Sequence, residues 1–231
     1  MKAYFVTGTD TGVGKTTVSC ALLAAAARNG MRAVGLKPAE SGCPLDDDGI
    51  PRPLDALALQ ASGNVALPLE VHCPYRFLPA VAPGVAAAGS GVSIDIARIQ
   101  QCLEQARNCH PDLLLVEGAG GLLVPFGAGL LIADLAAHLE LPLLVVARPD
   151  LGTINHTLLT LEVARLRGLQ VIGFAFSSGS AALDKDFVAS NVAEIQRVDP
   201  TKFLGCLPFI SSLDSPSLAQ AGAELLHALP D

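Results

Sequence analysis

The stretch Gly8-Thr9-Asp10-Thr11-Gly12-Val13-Gly14-Lys15-Thr16-Thr17 decides the fold of this chain of 231 residues. It follows the apolar run from Ala3 to Thr7, which is typical of a strand, and it leads into 15–28, where the pattern predicts a helix. Glycines at such a turn let backbone N–H groups point inward around an anion, and the start of the helix adds its dipole. The stretch therefore predicts a phosphate-binding loop after the first strand.

The loop departs from the usual phosphate-loop pattern at one position. The pattern G-x-x-x-x-G-K-[ST] requires a glycine where Thr9 stands, and Gly8 lies one residue early, which predicts an extra residue or a variant geometry. An ordinary glycine-rich turn with an exposed lysine is the alternative. The Gly14-Lys15-Thr16 triplet and its place between strand and helix favour ATP or GTP binding, with Lys15 on the outer phosphates and Thr16 on Mg²⁺.

Beyond the loop, short apolar runs alternate with helical runs. Two runs, Leu113 to Val116 and Leu143 to Val146, are apolar at consecutive positions, so both faces of these strands must be covered, as in a parallel sheet between helices. The prediction is an α/β fold of the P-loop NTPase type: one domain, 1–231, with a doubly wound, mainly parallel sheet and helices on both faces. Strands are predicted at 3–7, 33–37, 113–117, 143–147, 170–175 and 202–206, and helices at 15–28, 94–108, 154–167, 185–197 and 217–228. The region 38–93 is predicted to be irregular and to frame the site.

Composition excludes several classes of function. The chain has 15 Lys and Arg against 22 Asp and Glu, a net charge of -7, which argues against a nucleic-acid partner. The uncharged stretch from Phe77 to Ile94 is interrupted by prolines and glycines, which predicts a loop with a short helix and no membrane span. The apolar run after Met1 and Lys2 is too short for a secretory signal, so a cytoplasmic location is expected. The 6 cysteines form no C-x-x-C pair and are expected to be reduced and mostly buried.

Further blocks follow the phosphate loop in a fixed order. They are Gly35-Leu36-Lys37-Pro38 with Ser41-Gly42, Asp55-Ala56-Leu57-Ala58-Leu59-Gln60, Val116-Glu117-Gly118-Ala119-Gly120-Gly121, and Leu151-Gly152-Thr153-Ile154-Asn155-His156. On these blocks the sequence resembles the dethiobiotin synthetases, ATP-dependent enzymes of biotin synthesis. The resemblance implies a reaction in which CO₂ and 7,8-diaminononanoate form a cyclic urea while ATP becomes ADP and phosphate.

The resemblance also implies roles for individual residues. Lys37 and Lys15 are the expected catalytic residues, and Mg²⁺ is expected on Thr16, Asp55 and Glu117. The nucleotide is expected on Gly12, Val13, Gly14, Lys15, Thr16, Thr17, Asp55, Glu117, Gly118, Ala119, Gly120, Ser177, Ser178, Leu207 and Pro208. The substrate is expected on Thr11, Ser41, Gly152, Thr153, Ile154 and Asn155. In the family the block from Gly152 reaches the neighbouring subunit, which implies a homodimer with shared active sites.

Each of these residues also has a structural interpretation. Lys37 ends a strand and could simply hold its amine in solvent. Glu117 ends a buried strand, where a carboxylate is costly unless it is paired or bound to metal, so a surface position is the weaker alternative. Asp55 could complement the dipole of a helix that it opens. Thr153 could cap the next helix, with Asn155 in its first turn.

Two departures from the family pattern concern ligand contacts. Ala82-Pro83-Gly84 stands where relatives often have a Ser-Pro-His type segment, and Ser177-Ser178 stands where an asparagine that contacts the purine is common. A hydroxyl offers one donor where an amide offers a paired donor and acceptor, so looser selectivity among triphosphates is expected. Two other functions compete with this one: a nucleotide-switch ATPase of the partitioning or maturation type, and a non-catalytic nucleotide-binding module.

Overall fold

A six-stranded parallel sheet forms the centre of the protein in the computed structural model, which describes residues 1–127, 129–213 and 217–230. Its strands are β1 (Lys2–Gly8), β2 (Ala33–Leu36), β5 (Leu113–Gly121), β8 (Leu143–Ala147), β9 (Val171–Ser177) and β10 (Phe203–Leu207). They lie side by side in the order β10-β9-β8-β1-β5-β2, and every neighbouring pair is parallel. Two short pairs stand apart from this sheet, β3 (Ala39–Ser41) with β4 (Tyr75–Phe77) and β6 (Pro125–Gly127) with β7 (Leu130–Leu131).

Helices cover both faces of the sheet. They are α1 (Lys15–Arg28), α2 (Leu54–Ser62), α3 (Leu69–His72), α4 (Pro83–Gly89), α5 (Ile96–Arg107), α6 (Ile132–Leu139), α7 (Thr153–Leu166), α8 (Lys185–Val198) and α9 (Ser217–Ala228). The side chains of β5 alternate between two buried clusters: Leu113 and Leu115 pack with α1 and α9, whereas Leu114 and Val116 pack with α5 and α6. The consecutive apolar positions of this strand are thus buried on both sides, and the predicted doubly wound α/β fold is confirmed.

The predicted elements agree with the structure within two residues at nearly every boundary. The exception among the strands is β5, which continues from Glu117 to Gly121 instead of ending at the carboxylate. This extension has a partner, because Gly121 pairs with Gly8 at the end of β1 after an irregularity in the register. The glycines that the sequence assigned to a loop therefore prolong the central strand beside the phosphate loop.

The prediction of an irregular region over 38–93 was wrong. The segment contains β3, β4, α2, α3 and α4, and helix α6 also has no counterpart among the predicted elements. The elements in this segment span only 3 to 9 residues, too few for a helical or strand period to stand out. The expected short helix between Phe77 and Ile94 is α4.

Parallel strands present all their carboxyl ends at one edge of the sheet, and this edge carries the residues of interest. The phosphate loop leaves β1 there, Lys37 follows β2, Glu117 follows the apolar half of β5, and Ser177 ends β9. Open α/β sheets bind their ligands outside this edge. In the described ranges no helix combines the length and hydropathy needed to cross a membrane. All six cysteines are free and four are buried, as expected.

Candidate active site

The phosphate loop runs from the end of β1 to the first residue of α1. Gly12 and Gly14 adopt positive φ angles of 72° and 95°, which side chains with a Cβ rarely tolerate. Lys15 Nζ donates a hydrogen bond to the carbonyl of Asp10 at 2.9 Å, so the lysine folds back over its own loop. Val13 is buried in the core, which leaves only its backbone for a ligand. The loop has the curvature and the charge of an anion site.

Lys15 is only 6% exposed. Burial, together with the nearby charge of Lys37, lowers the pKa of Lys15 to about 8, against the opposing effect of Glu117 and Asp55. Among the described residues no carboxylate forms an ion pair with Lys15, and a buried cation in this situation favours an anionic ligand, since the ligand would supply the missing charge.

A cavity of about 580 Å³ opens in front of the loop. It is lined by Thr11, Gly12, Gly14, Lys15, Thr16, Thr17, Lys37, Glu40, Ser41, Asp55, Ala80, Val81, Ala82, Pro83, Glu117, Ala119, Gly120 and Val124. Both expected catalytic lysines and all three expected metal ligands meet here, although their sequence blocks are far apart. The segment that departs from the family pattern also faces this cavity, and it supplies the apolar side chains of Ala82 and Pro83.

Lys37 lies at the centre of a buried ionic cluster. Its Nζ is 2.6 Å from Glu117 Oε1 and 3.0 Å from Asp55 Oδ2, and it also donates to the carbonyl of Gly118 at 3.3 Å. Lys37 is 4% exposed and Glu117 is 1% exposed. The structural alternative of a lysine with its amine in solvent is therefore wrong, because the amine is buried and paired with two carboxylates.

Opposite charges determine the ionisation of this cluster. Burial by itself would lower the pKa of Lys37, but Glu117 and Asp55 outweigh it and raise that pKa above the ordinary value. Burial likewise would raise the pKa of Asp55, whereas Lys37 lowers it and prevails. Lys37 is thus a permanent cation over the physiological pH range, and it is suited to hold anions rather than to remove protons.

The two oxygens of Glu117 differ in their contacts. Oε1 accepts hydrogen bonds from Lys37 and from Thr16 Oγ1, the latter at 2.9 Å, while Oε2 is buried and has no hydrogen-bond partner among the described residues. An orphaned carboxylate oxygen beside a hydroxyl is a suitable donor set for a hard cation such as Mg²⁺. The described part of the chain holds no group of three or more His, Cys, Asp or Glu arranged to bind a metal.

One side chain of the cavity was missed in the sequence. Glu40 is 6% exposed, and its carboxylate accepts hydrogen bonds from the backbone N–H groups of Asp55 at 3.0 Å and Ala56 at 2.9 Å. These are first-turn donors of α2, so Asp55 lies in the first turn of a helix, as its structural interpretation supposed. The only available signal was an acidic residue between Lys37 and Ser41, close to two expected site residues.

The residues expected around the base lie outside the cavity, behind the phosphate loop. A Cβ on Gly14 would collide with the Ser177 hydroxyl, so that side chain packs directly on the loop. Ser178 donates its N–H to the carbonyl of Leu207 at 3.0 Å, which joins the ends of β9 and β10. Pro208 lines a separate cavity of about 400 Å³ with Phe209.

The block from Gly152 to Asn155 also lies outside the cavity of its own chain. Gly152, with φ of 96°, is the cap residue of α7, and Thr153 is the first helical residue, so the interpretation of Thr153 as the cap was wrong. A glycine is required because the chain turns through the left-handed region there. Thr153 is buried and its N–H donates to Asp150, whereas Asn155 is exposed.

Comparisons with known proteins match nearly the whole chain. A family model described as an AAA domain matches residues 2–217. The chain is 47% identical to the ATP-dependent dethiobiotin synthetase of Anaeromyxobacter dehalogenans (strain 2CP-C) over 210 residues, 90% of this chain and 91% of that protein. It is 39% identical to the enzyme of the same name from Chromohalobacter salexigens over 98% of both chains.

Solved structures with the same architecture are more distant in sequence. The MinC:MinD cell division protein complex of Aquifex aeolicus matches with a TM-score of 0.57 and 17% identity, over 97% of this chain and 86% of that one. A ParA family ATPase from Chlorobium tepidum TLS matches with a TM-score of 0.54 and 13% identity, over 98% and 92%. At such low identity these structures establish the fold alone.

Proposed function

The chain belongs to the dethiobiotin synthetase family, and from this premise we propose how its cavity carries out the family reaction. The reaction is the ATP-dependent closure of a cyclic urea on 7,8-diaminononanoate with CO₂. One amine adds to CO₂ and gives a carbamate, whose oxygen attacks the γ-phosphorus of ATP and releases ADP. The second amine then attacks the carbamoyl carbon, the C–O bond to phosphate breaks, and phosphate leaves. The buried cluster of Lys37 with Glu117 and Asp55 carries the proposal.

The phosphate loop is the proposed nucleotide site. Its inward curvature at Gly12 and Gly14 and the buried cation of Lys15 support phosphate binding. Thr16, Asp55 and Glu117 are the proposed ligands of Mg²⁺, supported by the unpaired buried oxygen of Glu117. Bound there, the ion would neutralise phosphate charge and orient the γ-phosphoryl group.

Lys37 is the proposed catalytic cation. Carbamate and γ-phosphate are both anions, and their approach is opposed by repulsion unless fixed positive charge lies between them. Lys37 meets this requirement because its amine is permanently charged, lines the cavity and is held by two carboxylates at 2.6 and 3.0 Å. A preorganised charge in a dry site needs little reorganisation during reaction, which is why it stabilises the transition state effectively.

The substrate is proposed to lie at the end of the cavity next to β3. Ser41, which ends β3, and Thr11, in the phosphate loop, both line the cavity and offer hydroxyl groups to the diamine or its carbamate. Ala82 and Pro83 offer only apolar surface to the hydrocarbon chain. Gly152, Thr153, Ile154 and Asn155, at the start of α7, are proposed to receive the carboxylate tail in the partner of a homodimer.

The exposed apolar residues near the site support that dimer. Leu151 is 94% exposed, and Leu123 and Leu159, each 53% exposed, line a groove of about 360 Å³ beside the phosphate loop. A large apolar side chain in water is unfavourable, so a second subunit that covers these residues would stabilise the pair. We place the reaction in the cytoplasm, where ATP is supplied.

The deciding experiment measures phosphate release from MgATP and bicarbonate, with and without 7,8-diaminononanoate, together with product mass. We expect release to depend on the diamine and to yield the cyclic urea. Diamine-independent hydrolysis would favour the nucleotide-switch alternative, and ATP binding without turnover would favour a binding module. Repeating the assay with GTP and CTP tests nucleotide choice: we expect rates within about tenfold of ATP because Ser177 packs on the loop and offers the base no amide.

A further inference from the structure

Helix α2 begins with a cap that comes from a different element. Pro53 occupies the cap position and provides no side-chain hydrogen bond. The first N–H groups of a helix have no partner within the helix, so they need an acceptor from elsewhere. Glu40 supplies it from β3: one carboxylate oxygen accepts from Asp55 and the other from Ala56, at 3.0 and 2.9 Å. The two elements are thereby joined by a buried, bidentate contact.

The residue held in this way is the most exposed member of the ionic cluster. The Asp55 side chain is 42% exposed, whereas the side chains of Lys37 and Glu117 are 5% and 0% exposed. Packing therefore constrains the Asp55 carboxylate only weakly. Its contact with Lys37 at 3.0 Å depends on where the first turn of α2 lies. Glu40 fixes that turn through the N–H of Asp55 itself.

The position of Glu40 in the sequence strengthens this coupling. Glu40 follows Lys37 by only three residues, on a chain that turns from β2 into β3. The stretch 37–40 thus contains Lys37 and, through Glu40, also holds α2, the helix that carries Asp55, the partner of Lys37. Burial and the nearby charge of Asp55 both disfavour a carboxylate at position 40, and both raise the pKa of Glu40. The two N–H bonds and the dipole of α2 offset both effects.

We propose that Glu40 is a positioning residue of the metal site. It holds the first turn of α2 so that the Asp55 carboxylate would be available, together with Glu117, to a magnesium nucleotide bound in the cavity. Glu40 itself makes no contact with metal or substrate in this role. The inference rests on the proposed function of Asp55 as a magnesium ligand, and it adds a residue whose effect must pass through Asp55.

The test compares Glu40→Ala and Glu40→Gln with Asp55→Ala and with the double variant. Two quantities are measured: the Mg²⁺ concentration for half-maximal turnover, and the tightening of ADP binding by Mg²⁺ in calorimetry. We expect Glu40→Ala to raise the half-maximal Mg²⁺ concentration at least about tenfold, the range found when residues behind metal ligands are removed. Glu40→Gln keeps one acceptor oxygen and should have a smaller effect. ADP binding without Mg²⁺ should be unchanged.

The matched control is Asp184→Ala. Asp184 caps α8 by the same type of bond, with one carboxylate oxygen accepting from Asp186 and Phe187, but it lies on an element outside the cavity. Its loss should lower thermal stability and leave both magnesium measurements unchanged. If Glu40→Ala and Glu40→Gln behave like this control, Glu40 has only a capping role and the inference is wrong.

The double variant separates the remaining outcomes. If Glu40 acts through Asp55, the double variant should need no more Mg²⁺ than Asp55→Ala alone. Additive effects would contradict positioning. If Asp55→Ala leaves the magnesium measurements unchanged, the proposed ligand role of Asp55 is overturned, and the positioning role of Glu40 is overturned with it. Because Glu40→Gln retains the shape of the side chain, it keeps the comparison decisive if Glu40→Ala does not fold.

Discussion

At the scale of single residues, Lys37 is the position where fold and chemistry are most closely coupled. The same amine that neutralises two buried carboxylates lines the cavity proposed for carbamate and phosphate. Lys37→Ala should therefore reduce turnover by about 100-fold to 1000-fold, as the loss of one preorganised donor does, and leave ADP affinity within about threefold. Steady-state rates and ADP calorimetry measure the two effects.

The variant must be shown to be folded, because it leaves Glu117 buried without its cation. Breaking a buried pair in this way costs about 3–5 kcal/mol of stability. ADP binding reports the folded fraction directly. Lys185→Ala serves as the control, since this lysine is exposed at the start of α8. Normal turnover in Lys37→Ala would exclude the lysine from the mechanism.

The surroundings of a second residue, His72, allow us to predict how the free energy of unfolding depends on pH. Its Nδ1 lies 2.6 Å from the carbonyl of Gly35, and its backbone carbonyl accepts from the N–H of Lys37 at 2.7 Å. Its Nε2 is buried and has no hydrogen-bond partner in the part of the chain that the structure describes. The carbonyl of Gly35 requires a proton on Nδ1, so a second proton would have to enter the apolar interior. Burial accordingly lowers the pKa of His72 below its usual 6.5.

The sign of the effect follows from proton binding. Below pH 6.5 His72 binds a proton in the unfolded chain but stays neutral in the folded chain. The free energy of unfolding therefore falls as the pH drops below this value, by at most about 1.4 kcal/mol per pH unit. His72→Asn keeps a donor near Nδ1 but does not titrate, and should lose this part of the pH dependence. Urea unfolding between pH 5 and 8 measures it, with the exposed His227→Asn as control. Parallel curves for both variants would contradict the assignment.

At the scale of elements, the contact between α1 and α9 sets the geometry behind the phosphate loop. Gly222 of α9 lies against α1, where a Cβ would fall inside contact distance of the Ala21 backbone carbonyl. Gly222→Ala should force the helices apart and lower the free energy of unfolding by at least about 1–3 kcal/mol. Gly89→Ala is the control: it lies in α4 with open space around it, and should stabilise by about 0.5–1 kcal/mol. Urea unfolding compares the two, and equal effects would contradict the close packing.

The elements also show what could be predicted from the sequence. Long periodic segments such as α1, and buried apolar runs such as β8, have boundaries identical to those predicted, because burial repeats over enough residues to leave a pattern. The places of Lys37 and Glu117 were predictable for the same reason, since Lys37 follows the apolar run of β2 and Glu117 follows the apolar run 113–116 of β5. Helix α2 was not, because its cap is Glu40 from another strand instead of a polar residue before the helix. Contacts between distant segments leave no local signal.

At the scale of the whole molecule, the two halves of the proposed substrate site lie in different places. Lys37 and Ser41 line the cavity, but Asn155 is exposed at the start of α7, outside that cavity. A symmetric dimer would solve this if the α7 start of each subunit completed the site of the other. The exposed apolar side chains of Leu123 and Leu159, which line the groove beside the phosphate loop, are consistent with such a contact.

Mixing two inactive variants tests the shared site. Asn155→Asp places a negative charge where the substrate carboxylate is proposed to bind, and at the start of a helix it should not harm folding. When Asn155→Asp is coexpressed with Lys37→Ala, each mixed dimer should have one intact site and one defective site. Random pairing makes about half of the dimers mixed, so about a quarter of normal activity is expected. Lys37→Ala mixed with Lys15→Ala is the control, because both residues line the cavity of one chain and every site then keeps one defect. The recovered activity is measured at diamine concentrations below saturation, and light scattering confirms that dimers form. If the first mixture recovers no activity, each chain builds its site alone.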